Sequence, residues 1–300
     1  MRIWQLINPL FIYRKRYRIM PSLIDRFQKV WLNVRGRIRN WLSTLHVILN
    51  YAGIPVTASE RLLWSLKNKH IGKRCFIVGN GPSLRISDLD LLKDEITIAS
   101  NKIYLAFGQT VWRPSYYSAI DTVVMGNISD KIQAIPCPKF FLKGTEALVG
   151  QAPFAMFCAQ GTDWVDVNDF RPGFSADIRK KIFAGECVTY FNIQIAYYLG
   201  CREIYLVGVD FSFSLPMTKV PDKGFEYMLT CEGEQNHFIK NYRPVGEKWT
   251  MPHLKEQKIA FAFCEMFMRS HGGGVRNASR KTELDVFDRV DFETLFPSNK

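Results

Sequence analysis

Five short runs, Cys75–Val78, Ile96–Ser100, Tyr116–Ile120, Lys139–Leu142 and Glu203–Val209, are apolar or β-branched at nearly every position instead of at alternate ones. A strand with one wet face alternates, whereas strands apolar on both faces belong to a sheet covered on both sides, the habit of parallel sheets. Helical patterns over Val188–Leu199 and His253–Ser270, and a helix-like Asp88-Leu89-Asp90-Leu91-Leu92, are interleaved with these runs. The predicted fold class is therefore α/β, a Rossmann-like and mostly parallel sheet with helices on both faces. A chain of 300 residues, 47% hydrophobic, is ample for one such domain and an accessory segment.

In doubly wound sheets ligands bind beyond the carboxyl ends of the strands. The first run leads into Gly79-Asn80-Gly81-Pro82-Ser83 just before a helix start. Gly79 and Gly81 are expected to let the backbone and its free N–H groups approach a phosphate, with Asn80 and Ser83 adding side-chain hydrogen bonds. No Gly-Lys-Ser/Thr follows, so this is not a Walker loop. A third glycine is absent and Asn101 stands where the dinucleotide fingerprint wants an acid, which disfavours a nicotinamide cofactor. The ends at Gly79–Gly81, Asn101, Asp121 and Gly208–Asp210 are predicted to converge on one nucleotide pocket. Phe211–Trp249, rich in Pro, Gly, Asp, Asn and aromatics without periodicity, reads as a lid over it.

The net charge of +12 is concentrated at one end: residues 1–50 carry ten basic residues against Asp25 alone. Between Leu23 and Leu49 apolar residues recur at the three-and-four spacing of one helix face, with arginines between them. Residues 1–70 are predicted to be a basic amphipathic helical arm and 71–300 the Rossmann-like nucleotide-binding domain, its lid spanning about 211–252. Thr44, His46 and Asn50 interrupt the best apolar stretch, so a spanning helix is not expected, nor a cleavable signal peptide. The arm either attaches peripherally to the anionic inner leaflet or packs on the domain or a second subunit. Nucleic acid is not expected, because the arm's Trp and Phe share its apolar face. Seven cysteines without a zinc or disulfide pattern suggest a reducing cytoplasmic compartment.

"IVGNGPSL", "SNKIY" and "IAYYLGCREIYLVGVDFSF" resemble the superfamily of bacterial family 42 sialyltransferases, motility-associated factor glycosyltransferases and archaeal 6-hydroxymethylpterin diphosphokinases, over about residues 71–296. In the sialyltransferase branch the resemblance implies a CMP-activated nonulosonate donor held without an obligatory metal, at positions that fall on Gly79, Asn80, Gly81, Ser83 and Asn101. It further implies a lid histidine as base and lid tyrosines on the leaving phosphate. His237 and Tyr242 are the candidates here, although Lys240 aligns with the base and His237 with an earlier histidine. An Arg-x-Thr-Ser-Gly stretch of that branch is replaced by Gly185-Glu186-Cys187-Val188-Thr189, whose Thr189 joins the donor-binding set.

The leading expectation is a glycosyltransferase that moves an acidic sugar (sialic-type nonulosonate or Kdo) from a CMP donor to a cell-surface glycan or protein acceptor. His237 and Asp210 are its catalytic pair, and Asp121 completes the donor-binding set. The first alternative is a magnesium- and ATP-dependent 6-hydroxymethylpterin diphosphokinase-like enzyme, in which Asp121 and Asp210 hold the metal. The second is a non-catalytic scaffold. His46, His70, His253 and His271 read as capping or surface residues, Asp88-x-Asp90 as N-terminal helix charge and Asp166–Asp169 as a turn.

Overall fold

The computed structural model describes residues 21–166, 168–216, 219–221 and 227–296, so the basic cluster Arg14–Arg18 and part of the expected lid lie outside it. The chain divides into two compact units, residues 1–56 and 57–300. In the first, helix α1 (Pro21–Tyr51) covers the predicted amphipathic stretch. Trp31, Val34, Ile38, Trp41 and Leu42 on it are exposed, and Arg35 lies over the Trp31 ring. Among the described residues no helix is long and apolar enough to cross a membrane.

The second unit begins earlier than the expected boundary at residue 70. Thr57 and Glu60 close a capping box on helix α2 (Ala58–Ser65), satisfying two backbone donors at its start. Leu63 and Leu66 then enter the main core, and the Tyr198 hydroxyl donates to the Leu63 carbonyl at 2.8 Å. Residues 57–70 thus belong with the sheet.

The strands are β1 (Arg74–Val78), β2 (Ile96–Ser100), β3 (Tyr116–Ser118), β4 (Lys139–Leu142), β5 (Ala155–Cys158), β6 (Trp164–Asp166), β7 (Asp169–Phe170), β8 (Glu203–Val207), β9 (Lys219–Pro221), β10 (Tyr227–Thr230), β11 (Lys248–Thr250), β12 (Gly274–Asn277) and β13 (Asp288–Arg289). Eight of them form one sheet in the order β13-β12-β8-β1-β2-β3-β4-β5, every pairing parallel. The order reverses between β1 and β8, which is the switch point where such sheets open a crevice.

Both faces of the sheet are dry, as the apolar runs require. On one face Cys75, Ile77, Ile98, Phe140, Ile204 and Leu206 pack with α2, α6 (Val188–Tyr198) and α7 (Leu254–Ser270). On the other, Phe76, Val78, Ala99, Tyr117, Phe141 and Val207 meet α3 (Ile86–Leu91) and α4 (Thr122–Ala134). A short helix α5 (Glu146–Val149) follows β4. Helix α6 is buried all round; its Gln194 is satisfied by the amides of Ser175 and Phe183 and the carbonyls of Phe183 and Tyr190. The segment read as a lid contains a three-stranded antiparallel sheet, β9-β10-β11. The β6–β7 hairpin carries the expected turn at Asp166–Asp169.

Candidate active site

A cleft of about 650 Å³ opens at the carboxyl edge of the parallel sheet, between the ends of β1 to β5 and β8 and the segment around β10 and β11. Gly79, Asn80, Gly81, Asn101, Asp121, Thr189, Asp210, His237 and Tyr242 all line it. Of the expected site residues, Ser83 alone is absent from this lining, and it acts through Asp210.

The glycine turn has a different role from the expected one. The N–H groups of Gly79 and Gly81 donate to the carbonyls of Val207 and Gly208, both at 2.8 Å, and that of Ser83 to Asp210 Oδ2 at 2.7 Å. The turn therefore cannot offer these N–H groups to a phosphate. Neither glycine has a positive φ; the left-handed one is Gly208, at 66°. A Cβ at Gly79 would stand 2.3 Å from the Gly208 carbonyl oxygen, and one at Gly81 would stand 2.6 Å from the Asp210 carboxyl carbon. The glycines are there so that the β1 and β8 loops can touch across the switch point.

Asp210 holds that contact with both oxygens, since Ser83 Oγ donates to the second one. Burial raises its pKa, against the pull of the Ser83 donors. Asp121 caps α4, its Oδ1 accepting from the amides of Val123 and Val124 at 2.8 and 3.2 Å. Its other oxygen makes no hydrogen bond among the described residues. Among those residues no three His, Cys, Asp or Glu side chains gather as a metal-binding cluster. A magnesium ion here would find one open oxygen on Asp121 and a carboxylate on Asp210 already bonded to Ser83. Asn101 takes the left-handed conformation, φ 53°, which Asn tolerates, and its Oδ1 and that of Asn80 are buried without a partner.

The lid side is held by a buried cation. Lys102 Nζ lies 2.6 and 2.7 Å from the Glu247 oxygens and 3.0 Å from the Tyr242 carbonyl, while the Lys102 amide donates to the Tyr242 hydroxyl. Tyr242 is buried and its pKa is raised, chiefly by that burial. His237 stacks on Tyr242 with ring centroids 3.7 Å apart, and its pKa is pulled down to about 3 by burial first, then by Arg243 and Lys102. The ring is therefore neutral at neutral pH and a weak base. The unfolded chain takes up a proton at this position below about pH 6.5 while the folded protein does not until about pH 3. His237 should thus cost the protein up to about 1.4 kcal/mol of stability per pH unit as pH falls through that window. Urea midpoints measured at pH 7 and pH 5 should converge in His237→Phe relative to the parent; an unchanged difference would refute the burial argument.

Several site residues were not singled out from sequence. The Arg243 side chain is only 10% exposed, stacks 4.0 Å over the Trp249 ring, and has one ion-pair partner among the described residues, Glu247, at 3.9 Å. Its guanidinium makes no hydrogen bond among the described residues, although its carbonyl accepts from the Cys231 thiol at 3.3 Å. His253 was read as a cap and does sit at the N-cap of α7, but it makes no side-chain cap bond there. Its Nδ1 lies 2.9 Å from Glu186 Oε2, and Trp164 Nε1 donates to Glu186 Oε1 at 2.8 Å. Glu186 and His253 both line the cleft. His70, by contrast, meets the Tyr116 hydroxyl, and Asp88 pairs with Arg280. Lys240 is exposed, and neither His271 nor Lys240 lines the cleft.

An all-parallel sheet with a polar cleft at its switch point defines a doubly wound α/β domain. Residues 46–215, more than half of the chain, match the family described as 6-hydroxymethylpterin diphosphokinase MptE-like, and the chain belongs to that family. The solved structure of a MAf glycosyltransferase from Magnetospirillum magneticum AMB-1 is similar at 13% identity with a TM-score of 0.46. That likeness covers 80% of this chain and 39% of the other, so the chain spans well under half of the MAf protein's length. No curated protein matches the sequence.

Proposed function

We propose that the protein is a transferase that binds a nucleotide-activated donor in this cleft and passes its group to an acceptor hydroxyl, the donor being a CMP-activated acidic sugar. Arg243 carries this reading. A guanidinium removed from water is costly unless paired, and the one carboxylate within ion-pair distance of it among the described residues, Glu247, is shared with Lys102, with Glu234 acting on it from further off. An anion in the cleft would complete it, and a planar carboxylate or a phosphate fits its paired donors. The first turn of α6 has Val188 and Thr189 on the cleft wall, and its Thr189 and Tyr190 amides face the Cys187 sulfur, a weak acceptor that a leaving phosphate would replace. Asn80 and Asn101 supply acceptors for the nucleoside. His237, neutral at working pH, suits a hydrogen-bonding role in this scheme better than that of base.

The second reading is a magnesium- and ATP-dependent diphosphokinase. It is favoured by the family match and by Asp121 and Asp210 lining one cleft. Thermal shift with CMP, and with ATP with and without magnesium, separates the two, because a ligand of the native state raises apparent stability. Stabilisation by CMP without metal supports sugar transfer. A response to ATP that needs magnesium supports the diphosphokinase, and no shift with either supports a scaffold.

The acceptor in the leading reading is a surface glycan or protein, met at the inner membrane face. Exposed Trp31, Ile38, Trp41 and Leu42 beside arginines on α1 suit an anionic surface, each basic group contributing roughly 1 kcal/mol. Removing residues 1–56 should abolish salt-sensitive co-sedimentation with phosphatidylglycerol vesicles and leave a cooperative melt that CMP still shifts. Aggregation of the truncated chain would instead make the arm a packing element of the domain or of a second subunit.

A further inference from the structure

The loop before α6 holds Glu186 in a conformation that this residue resists. Gly185 and Glu186 both have positive φ, 54° and 58°, and for glutamate this is an uncommon and strained state. The surroundings impose it. Buried Asp163 accepts the N–H groups of Ala184 and Gly185 through one oxygen, at 3.1 and 3.0 Å, and that of Gly173 through the other. The Tyr190 ring lies where a Cβ at Gly185 would stand, and Gln257 Nε2 donates to the Glu186 carbonyl at 2.8 Å. Strain fixed from three sides marks a side chain whose direction matters. Here it delivers the Glu186 carboxylate to Trp164 on one oxygen and His253 on the other, with the Trp164 and His253 rings edge to face.

We propose that His253 is the general base of the transfer step and that Glu186 is its positioning residue. A carboxylate at Nδ1 fixes the proton there and leaves the lone pair on Nε2, the arrangement that makes an imidazole a base and steadies the imidazolium that follows. Resting on the sugar-transfer reading, the step balances as follows. The acceptor oxygen bonds to the anomeric carbon as its O–H bond breaks and the proton passes to His253 Nε2. The anomeric C–O bond breaks with its electron pair leaving on the nucleotide phosphate. The imidazolium later returns its proton to water.

Trp164 Nε1 can only donate, which makes Glu186→Gln a sharp test. The single amide oxygen must face Trp164, so the amide NH₂ faces Nδ1 and drives the ring proton to Nε2. In the full-length protein, ¹⁵N-histidine NMR should show the Nδ1–H tautomer for His253 in the parent and Nε2–H in Glu186→Gln. CMP release from CMP-N-acetylneuraminate with lactose as acceptor should fall about 10²–10⁴-fold in His253→Gln and in Glu186→Gln, while the CMP thermal shift stays at the parent value. Glu186→Asp should restore part of the rate. A parent ring protonated on Nε2, or parent turnover in both variants, overturns the dyad even where CMP binds. A parent that CMP does not stabilise overturns the sugar-transfer reading itself, whatever the tautomer.

Discussion

Gly79→Ala is expected to destabilise the protein by about 3 kcal/mol, the upper range for overpacking a site that cannot relax. The added Cβ would meet the Gly208 carbonyl oxygen at 2.3 Å, its carbon at 2.8 Å and Val209 Cγ2 at 3.0 Å. Two of these are backbone atoms, and the Gly208 carbonyl is itself fixed by the Gly81 amide. No rotamer change relieves such a clash; β1 and β8 must part at the switch point. Gly81→Val should follow the same route, pushing the Asp210 carboxylate off Ser83, so that the nucleotide binding proposed above is lost together with stability. Gly126→Ala serves as the control: it is exposed in α4 with nothing within 4 Å of its Cβ position, and should stabilise by up to about 1 kcal/mol. Urea denaturation reads all three. A Gly79→Ala midpoint equal to that of the parent would mean that the two loops are not in contact.

Lys102→Met should cost about 3–5 kcal/mol and loosen the cleft's outer wall. The side chain is 7% exposed and its ammonium group lies among the two Glu247 oxygens and the Tyr242 carbonyl. Removing it leaves a largely buried carboxylate without its main partner, which is costlier than losing the pair together. The double variant Lys102→Met/Glu247→Leu should therefore recover part of the loss, and a double-mutant cycle gives the coupling directly. Hydrogen exchange offers a local readout, since amides of residues 227–250 should exchange faster in Lys102→Met than in the double variant. Equal losses in the single and double variants would show that the ion pair does not hold this segment.

The doubly apolar runs were enough to read β1, β2 and β4 to within a residue, because runs of four or five residues are too short for a buried helix such as α6. Edge strand β12, Gly274-Val275-Arg276-Asn277, has no comparable pattern, and the short strands of the lid gain their definition from one another. The carboxyl edge of the sheet was found through its glycine and polar strand ends, yet the physical role of the glycine turn was misread. Nothing local in Gly79-Asn80-Gly81 says that its neighbour is Gly208. The same limit hid the pairings that shape the site: Lys102 and Glu247 are 145 residues apart, Glu186 and His253 67. A lone histidine ahead of a helix reads as a cap until a carboxylate is seen to hold its ring. The family, by contrast, was visible in the strand-end motifs, because these lie where the backbone is most constrained.

The contact between the β1 and β8 loops also sets a timetable for biosynthesis. Ser83 and Asp210 lie 127 residues apart, and β1 is flanked by β2 and by β8. At ribosomal speeds roughly 6 to 25 seconds separate the emergence of one from that of the other. Strands β1 to β5 can pair as they appear, but during that interval β1 presents a row of unpaired backbone groups, the kind of edge on which chains aggregate. A nascent chain that has not reached Asp210 has one bank of the cleft and not the other, so no ligand of the cleft can act on it as a folding ligand. Such a chain is exposed to aggregation until the eighth strand has docked, and any ligand of the cleft can stabilise it only from then on.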